Sequence, residues 1–225
     1  MLVAGFPAQL FGTNCYVVAP AEGEDCVVVD PGVGVDVELD DLLRQHRLRP
    51  VAVLLTHGHL DHTYSVTPVC GARGIAAYVH GDDRYRLHDP VSLLGPDLLA
   101  MLGGRLTWTE PDDVTLLGDG DVLALAGLDV TVDHAPGHTE GSVLFRLPGS
   151  VGEPPVCLSG DVLFAGSVGR TDLVGGDPRA MVVSLRDKVL PLPDDTVVLP
   201  GHGPATTIGR ERRSNPFLAE LAVTP

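Results

Sequence analysis

Lysine is nearly missing from these 225 residues: Lys188 stands alone, and the basic total of 15 faces 30 acids. The resulting net charge of −15 argues against a nucleic-acid partner, because binding a polyanion needs a basic surface that releases counterions. No basic or aromatic-rich arm offsets this, since aromatic residues make up only 4% of the chain. The acidic surplus favours solubility and weakly favours a cation site. Cysteine is scarce as well. Cys15, Cys26, Cys70 and Cys157 form no C-x-x-C pair, and three sit in apolar, strand-like runs. They read as small buried hydrophobes, not as thiolate ligands or a disulfide framework. Long hydrophobic runs are absent too. No stretch reaches the ~18 apolar residues that a membrane span needs. The opening "MLVAGFPAQLFGTNCYVV" lacks the basic and apolar regions of a signal peptide. The expectation is a soluble, cytoplasmic protein with no membrane partner.

What is present is an ordinary folding composition, with 44% hydrophobic and 20% charged residues. A chain this long with no polar linker suits one layered α/β domain over residues 1–225. "NCYVVA" and "DCVVVD" read as a strand–turn–strand pair around "PAEGED". "VDVELDDLLRQHR" has apolar residues at helical spacing, with acids early and bases late as the helix dipole prefers. "VAVLL" reads as a buried strand, residues 62 to 72 as a helix, and "IAAYVH" as another strand. Residues 81–113 are less regular, with "VSLLGPDLLAMLGG" helical in part, and are placed on the substrate side. "VTLLGDGDVLALAGLDVTVDHA" reads as a β-meander with "GDGD" as a hairpin turn. "SVLFRL", "PVCLSGDVLF" and "TVVLP" are further strands, "PRAMVVSLRDKVL" a helix opened by Pro178, and "ERRSNPFLAEL" a short terminal helix. Helices outside two β-layers follow.

Three of the 9 histidines crowd into "LLTHGHLDHT" as H-x-H-x-D-H: His57, His59 and His62, with Asp61 between. The motif lies just past a strand's C-terminal end. Three more strand ends carry the same type of residue: His138 in "APGHTEGS", Asp161 in "LSGDVLF" and His202 in "VLPGHGP". Glycine neighbours let the backbone come close there, and ligand sites of α/β proteins gather at strand ends. Five imidazoles and two carboxylates exceed the needs of one tetrahedral metal and suit two metals with a shared bridge. Zinc, iron and manganese fit such donors, and a Cys-poor set points to catalysis more than to a closed structural site. His46, His80 and His88 are expected at the surface. His134 reads as a core or backbone-bonded histidine, with a role in orienting a ligand as the other reading, and Asp30 as a turn residue or the orienter of a ligand histidine.

The set T-H-x-H-x-D-H, P-G-H-T, S-G-D and P-G-H-G, in that order over Thr56–Gly203, resembles the metallo-β-lactamase superfamily. The resemblance implies a four-layer αββα sandwich with the site at one edge of the two sheets. It implies a first metal held by His57, His59 and His138, a second held by Asp61, His62 and His202, and Asp161 bridging both. "SGDVLFAGSVGRTD" and "PGHGPATTIGRERRSNPF" are similar to the short, single-domain bacterial type of glyoxalase II, the hydroxyacylglutathione hydrolases. Only 23 residues follow His202, so no counterpart is expected to the C-terminal helical domain that carries much of the glutathione site in the two-domain type. The identity of the thiol is therefore open.

The expected activity is hydrolysis of a small thioester, such as S-lactoylglutathione, by a hydroxide bridging two divalent ions, most simply Zn2+, with Fe or Mn as the other choices. Asp61 and Asp161 would hold that hydroxide in line. Arg170 in "GRTD" is placed on a substrate carboxylate, with an ion pair to Asp172 as the other reading. A persulfide dioxygenase with a single iron held by His57, His138 and Asp161, and a lactonase on the same scaffold, are the alternatives.

Overall fold

The computed structural model describes residues 1–94, 107–149 and 152–223. Two six-stranded sheets stack face to face. The first holds β1 (Leu2–Pro7), β2 (Asn14–Ala19), β3 (Asp25–Val29), β4 (Arg49–Leu54), β5 (Ala76–His80) and β6 (Val114–Leu117), adjacent in chain order. Its first three strands are antiparallel, and β3 to β6 run parallel. The second holds β7 (Val122–Leu125), β8 (Leu128–His134), β9 (Val143–Leu147), β10 (Val156–Gly160), β13 (Val197–Pro200) and β14 (Thr206–Thr207). Its spatial order is β14-β13-β10-β9-β8-β7. A small hairpin of β11 (Leu163–Phe164) and β12 (Ser167–Val168) projects between β10 and the later helices.

Alternation along the strands builds three cores, since successive side chains of a strand point to opposite faces. In β2, Val18 faces the second sheet while Val17 and Ala19 face the helices. In β4, Leu54 faces the sheet–sheet seam and Val53 the helices. The seam is completed by Val130, Val132, Val143, Phe145 and Leu158 of the second sheet. On the outside of the first sheet pack α1 (Asp36–His46), through Leu39 and Leu43, and α3 (Val66–Arg73), through Val66, Val69 and Cys70. On the outside of the second pack α4 (Pro178–Ser184), its π-helical continuation Leu185–Val189, α5 (Ile208–Ser214) and α6 (Pro216–Val223), through Met181, Leu185, Val189, Ile208 and Leu218. This is the αββα sandwich the resemblance implied. All four cysteines are free and buried inside these cores; burial pushes the Cys26, Cys70 and Cys157 thiols up to about 12.

Three local readings are corrected. The "GDGD" turn does not close a hairpin: Gly118–Asp121 carries the chain from β6 in the first sheet to β7 in the second. The hairpin turn is Ala126-Gly127, with both residues in the left-handed region as a two-residue turn demands. The helix expected over 62–72 is two pieces, α2 (Leu60–Thr63) and α3, broken around Ser65, whose N–H donates to the Pro31 carbonyl. The terminal helix is likewise two, because Pro216 cannot continue α5 and instead starts α6, with Asn215 accepting from the Phe217 N–H. β1 was not foreseen: it is a half-buried edge strand whose Gly5 lies against the Tyr16 ring. Of "VSLLGPDLLAMLGG", Val91–Leu93 forms a 3-10 turn, and residues 95–104 lie outside the described residues.

Candidate metal centre

Four strands of the sandwich, β4, β8, β10 and β13, release at their C-terminal ends the loops that carry the seven predicted residues. The structure brings all seven together. His57 Nε2 lies 3.1 Å from His59 Nδ1, and His59 Nδ1 lies 2.9 Å from His138 Nε2. Beside this trio, His202 Nε2 is 3.2 Å from Asp61 Oδ2, and His62 Nε2 is 3.6 Å from the same oxygen. Asp161 stands between the groups. Its Oδ1 is 3.4 Å from His62 Nε2, and its Oδ2 is 3.5 Å from His138 Nε2 and 3.7 Å from His202 Nε2.

The donors fit metal ions, and the second ring nitrogens show why. The Asp30 carboxylate accepts from the Thr56 hydroxyl at 2.6 Å, so that hydroxyl oxygen is left to accept from His57 Nδ1 at 3.1 Å. Asp30 also accepts from His62 Nδ1 at 2.9 Å. His138 Nδ1 donates to the Arg170 carbonyl at 2.8 Å. These bonds fix the ring orientations and aim Nε2 of His57, His62 and His138 inward. Metal–imidazole bonds of 2.0–2.1 Å put two tetrahedral donors about 3.3 Å apart, close to the spacing of the trio. His62 Nε2 and Asp161 Oδ1 are buried with no hydrogen-bond partner among the described residues, a cost of about 1–3 kcal/mol for each group that a bound cation would remove.

The charges agree. Burial, reinforced by the neighbouring histidines, holds His57 far below the usual histidine range, brings His59 to about 3, and lowers His138. All three are neutral imidazoles, the form a metal ion requires. Burial works against the carboxylates of Asp61 and Asp161, but His62 and the surrounding imidazoles outweigh it and keep both ionised. His62 is the counterpart: burial lowers it, and Asp61, Asp161 and Asp30 together raise it well above the usual value.

Glycines make the close approach possible. A methyl group on Gly201 would overlap Asp161 Oδ1 and His62 Cε1, and one on Gly58 would meet the Arg86 side chain.

Sequence reasoning missed the residue that joins the loops. Asp83, fully buried, accepts from the Gly58 N–H at 2.7 Å, the Thr139 hydroxyl at 2.7 Å, the Gly141 N–H at 2.9 Å and Arg86 Nε at 3.1 Å. It ties the loop of His57 and His59 to that of His138. Arg86 extends the tie to Glu140 at 2.6 Å and the Val174 carbonyl at 2.7 Å. Nothing in "HGDDRYR" marks Asp83, because its loop partners lie 25 to 58 positions away. Asp30 does orient a ligand-type histidine, as one reading had it. Arg170 forks its exposed side chain onto Asp172 with two contacts of 2.7 Å, and its backbone carbonyl serves His138. His46 and His88 pair with Glu22 and Glu110 near the surface. His80, expected there too, is buried: it stacks on His134 with ring centroids 3.9 Å apart. His134 Nε2 donates to the Glu140 carbonyl at 2.7 Å, as its backbone-bonded reading required.

A helix-flanked double sheet with a histidine–aspartate cluster at its strand ends is the frame of a metallo-hydrolase. The chain belongs to the metallo-beta-lactamase superfamily, whose family model matches residues 8–202. It is 35% identical to the hydroxyacylglutathione hydrolase GloC of Haemophilus influenzae over 217 residues, covering 94% of this chain and 95% of that one. Among solved structures it is similar to the B3 metallo-beta-lactamase BLEG-1, with a TM-score of 0.83 and 38% identity over 96% of this chain and 99% of that one. It is also similar to TTHA1623 in a di-iron-bound form, with a TM-score of 0.77 and 40% identity over 96% of this chain and all of the other. These relatives and the cluster support divalent metal ions as cofactors. Among the described residues, no helix is long and apolar enough to cross a membrane.

Proposed function

We propose that the protein hydrolyses a small thioester, of the S-2-hydroxyacyl type, with two divalent metal ions. His57, His59 and His138 would hold one ion, Asp61, His62 and His202 the other, and Asp161 would reach both. The observation that carries this reading is the position of Asp161, whose two oxygens face nitrogens of both groups. The chemistry a bound pair supplies is hydroxide near neutral pH and polarisation of the thioester carbonyl.

The chain's own residues do the rest. Asp61, kept ionised by the imidazoles around it and held by the Thr13 hydroxyl at 3.0 Å, would orient the attacking hydroxide by accepting its hydrogen bond. Asp161 holds the same region from the opposite side. Asp30, Thr56 and the Arg170 carbonyl keep three imidazole rings in one orientation, so the site needs no reorganisation during turnover. A thiolate leaves without a strong general acid, which accords with the reading that no free acid or cation is required at the leaving-group position. A zinc enzyme, a cytoplasmic location and a small-molecule partner belong to the same proposal; the 35% identity to a hydroxyacylglutathione hydrolase supports the thioester class.

The test is hydrolysis of S-D-lactoylglutathione and of an S-lactoyl ester of N-acetylcysteamine by the zinc-loaded protein, with metal content measured beside it. Turnover that disappears in His57→Ala is expected. A metal-replete protein that cleaves neither ester would overturn the thioesterase reading; iron loading with oxygen uptake on a persulfide would then decide for oxygen chemistry.

A further inference from the structure

His202 is placed differently from three of the other imidazoles of the centre. His57, His62 and His138 each have the second ring nitrogen bonded, to Thr56, Asp30 and the Arg170 carbonyl. Among the described residues no group bonds Nδ1 of His202, and its side chain is 31% exposed. A ring without an outer hydrogen bond is aimed by its backbone, so whatever fixes the turn at Gly201–Gly203 fixes the ligand.

That turn is fixed from the opposite sheet. Asn14 opens β2 of the first sheet, whereas His202 follows β13 of the second. The Asn14 amide nitrogen donates to the carbonyls of Pro200 and Gly203, both at 2.9 Å, one on each side of His202. Its NH2 group supplies both donors from one atom. The Asn14 backbone N–H donates to the Gly201 carbonyl at 2.7 Å. Thr13, one residue earlier, pairs with His202 as an antiparallel bridge and reaches Asp61 with its hydroxyl at 3.0 Å. Tyr16 adds a bond from its hydroxyl to the Pro200 carbonyl at 2.9 Å, on one side of the turn only. The supports of the two proposed ions are therefore separate. Asp83, Thr56 and the Arg170 carbonyl hold the loops and rings of the first, while Thr13 and Asn14 hold Asp61 and His202 of the second.

Resting on the two-metal reading above, we infer that Asn14 is the positioning residue of the second ion. By pinning the carbonyls before and after His202 it does through the backbone what Thr56, Asp30 and the Arg170 carbonyl do through the ring. Retention of the first ion does not depend on it.

The experiment is zinc retention by the full chain. The zinc-loaded parent, Asn14→Leu and Tyr16→Phe are dialysed against a graded series of zinc buffers. Zinc per chain is then read by elemental analysis, with circular dichroism and Tm beside it. The parent is expected to release two ions in two steps. Asn14→Leu keeps a similar volume, lacks both donors and adds no charge near the ion. It is expected to release one ion at a free zinc concentration at least about tenfold higher than the parent does, and the other as the parent does. Tyr16→Phe removes a bond to Pro200 from the same seam but leaves both Asn14 bonds, and is expected to hold both ions like the parent. Asn14→Ala takes the place of Asn14→Leu if the larger side chain prevents folding. Retention of both ions by the Asn14 variant, equal weakening of both, or the same loss in Tyr16→Phe overturns the inference and leaves the two-metal reading standing. A parent that binds a single ion overturns both.

Discussion

The Asp83 carboxylate accepts the N–H of Gly58 at 2.7 Å, and Gly58 sits between two of the predicted metal ligands. That bond positions the loop from beneath, while the same carboxylate holds Thr139, the neighbour of His138. Asp83→Asn keeps the volume but strips the charge that Arg86 and three further donors share. Leaving the buried Arg86 side chain with fewer acceptors costs about 3 kcal/mol or more. In a chain of this size that lowers Tm by roughly 6–12 °C. Loss of a group that orients ligand loops also weakens metal binding by about 10–100-fold. Calorimetry and a Co2+ absorption titration check both. A variant that melts early but binds metal normally would reduce Asp83 to a scaffold residue.

Asp161→Asn tests the proposed bridge. The substitution removes one charge from a position that faces nitrogens of both groups. The expected outcome is a fall from two metal equivalents per chain toward one, with kcat/KM reduced by at least about 100-fold. Elemental analysis after dialysis reads the first effect, and steady-state kinetics the second.

Glycine substitutions separate steric tuning from general fragility. Gly201→Ala drives a methyl into Asp161 and His62, so metal affinity is expected to drop about tenfold, in the range for displaced supporting contacts. Gly71, inside α3, meets nothing within 4 Å. Gly71→Ala is expected to stabilise by about 0.5–1 kcal/mol, since glycine is a poor helix former. A drop in Tm for Gly71→Ala would contradict the open space drawn around it.

His80 makes a pH prediction away from the centre. Burial first, and the stacked His134 second, lower its pKa below the ordinary 6.5, although Asp82, Asp83 and Asp119 pull the other way. The unfolded chain therefore binds this proton more readily than the folded one. Its contribution to stability is intact above about pH 6.5 and is lost as pH falls from there toward the lowered folded value. Protonation also removes the lone pair that accepts the Asp82 N–H at 3.3 Å. His80→Gln is expected to flatten the fall in Tm between pH 7 and pH 5 relative to the parent chain. Parallel curves would show that His80 does not carry it.

Much of this protein was legible in its residues. The short apolar runs of β2, β4 and β9 mark strands buried on both faces, so the layering could be read locally. The seven candidate ligands could be read too, because His57, His59, Asp61 and His62 share one short motif and the other three follow apolar runs with glycine beside them. Local signals failed where partners are distant. "GDGD" looks like a hairpin, yet which sheet β7 joins depends on the seam formed with Val130 and Val132. His80 looks like a surface histidine until β8 lays His134 against it. Asp83 carries no motif at all, and only the fold brings Gly58, Thr139 and Gly141 to its two oxygens. The sequence by itself determined the donor chemistry and the layers, because both are written in residue type and short-range period. The tertiary structure alone decided which nitrogen of each histidine faces inward and what clamps the loops. Those are properties of groups far apart in the chain, and they exist only once the two sheets have closed on each other.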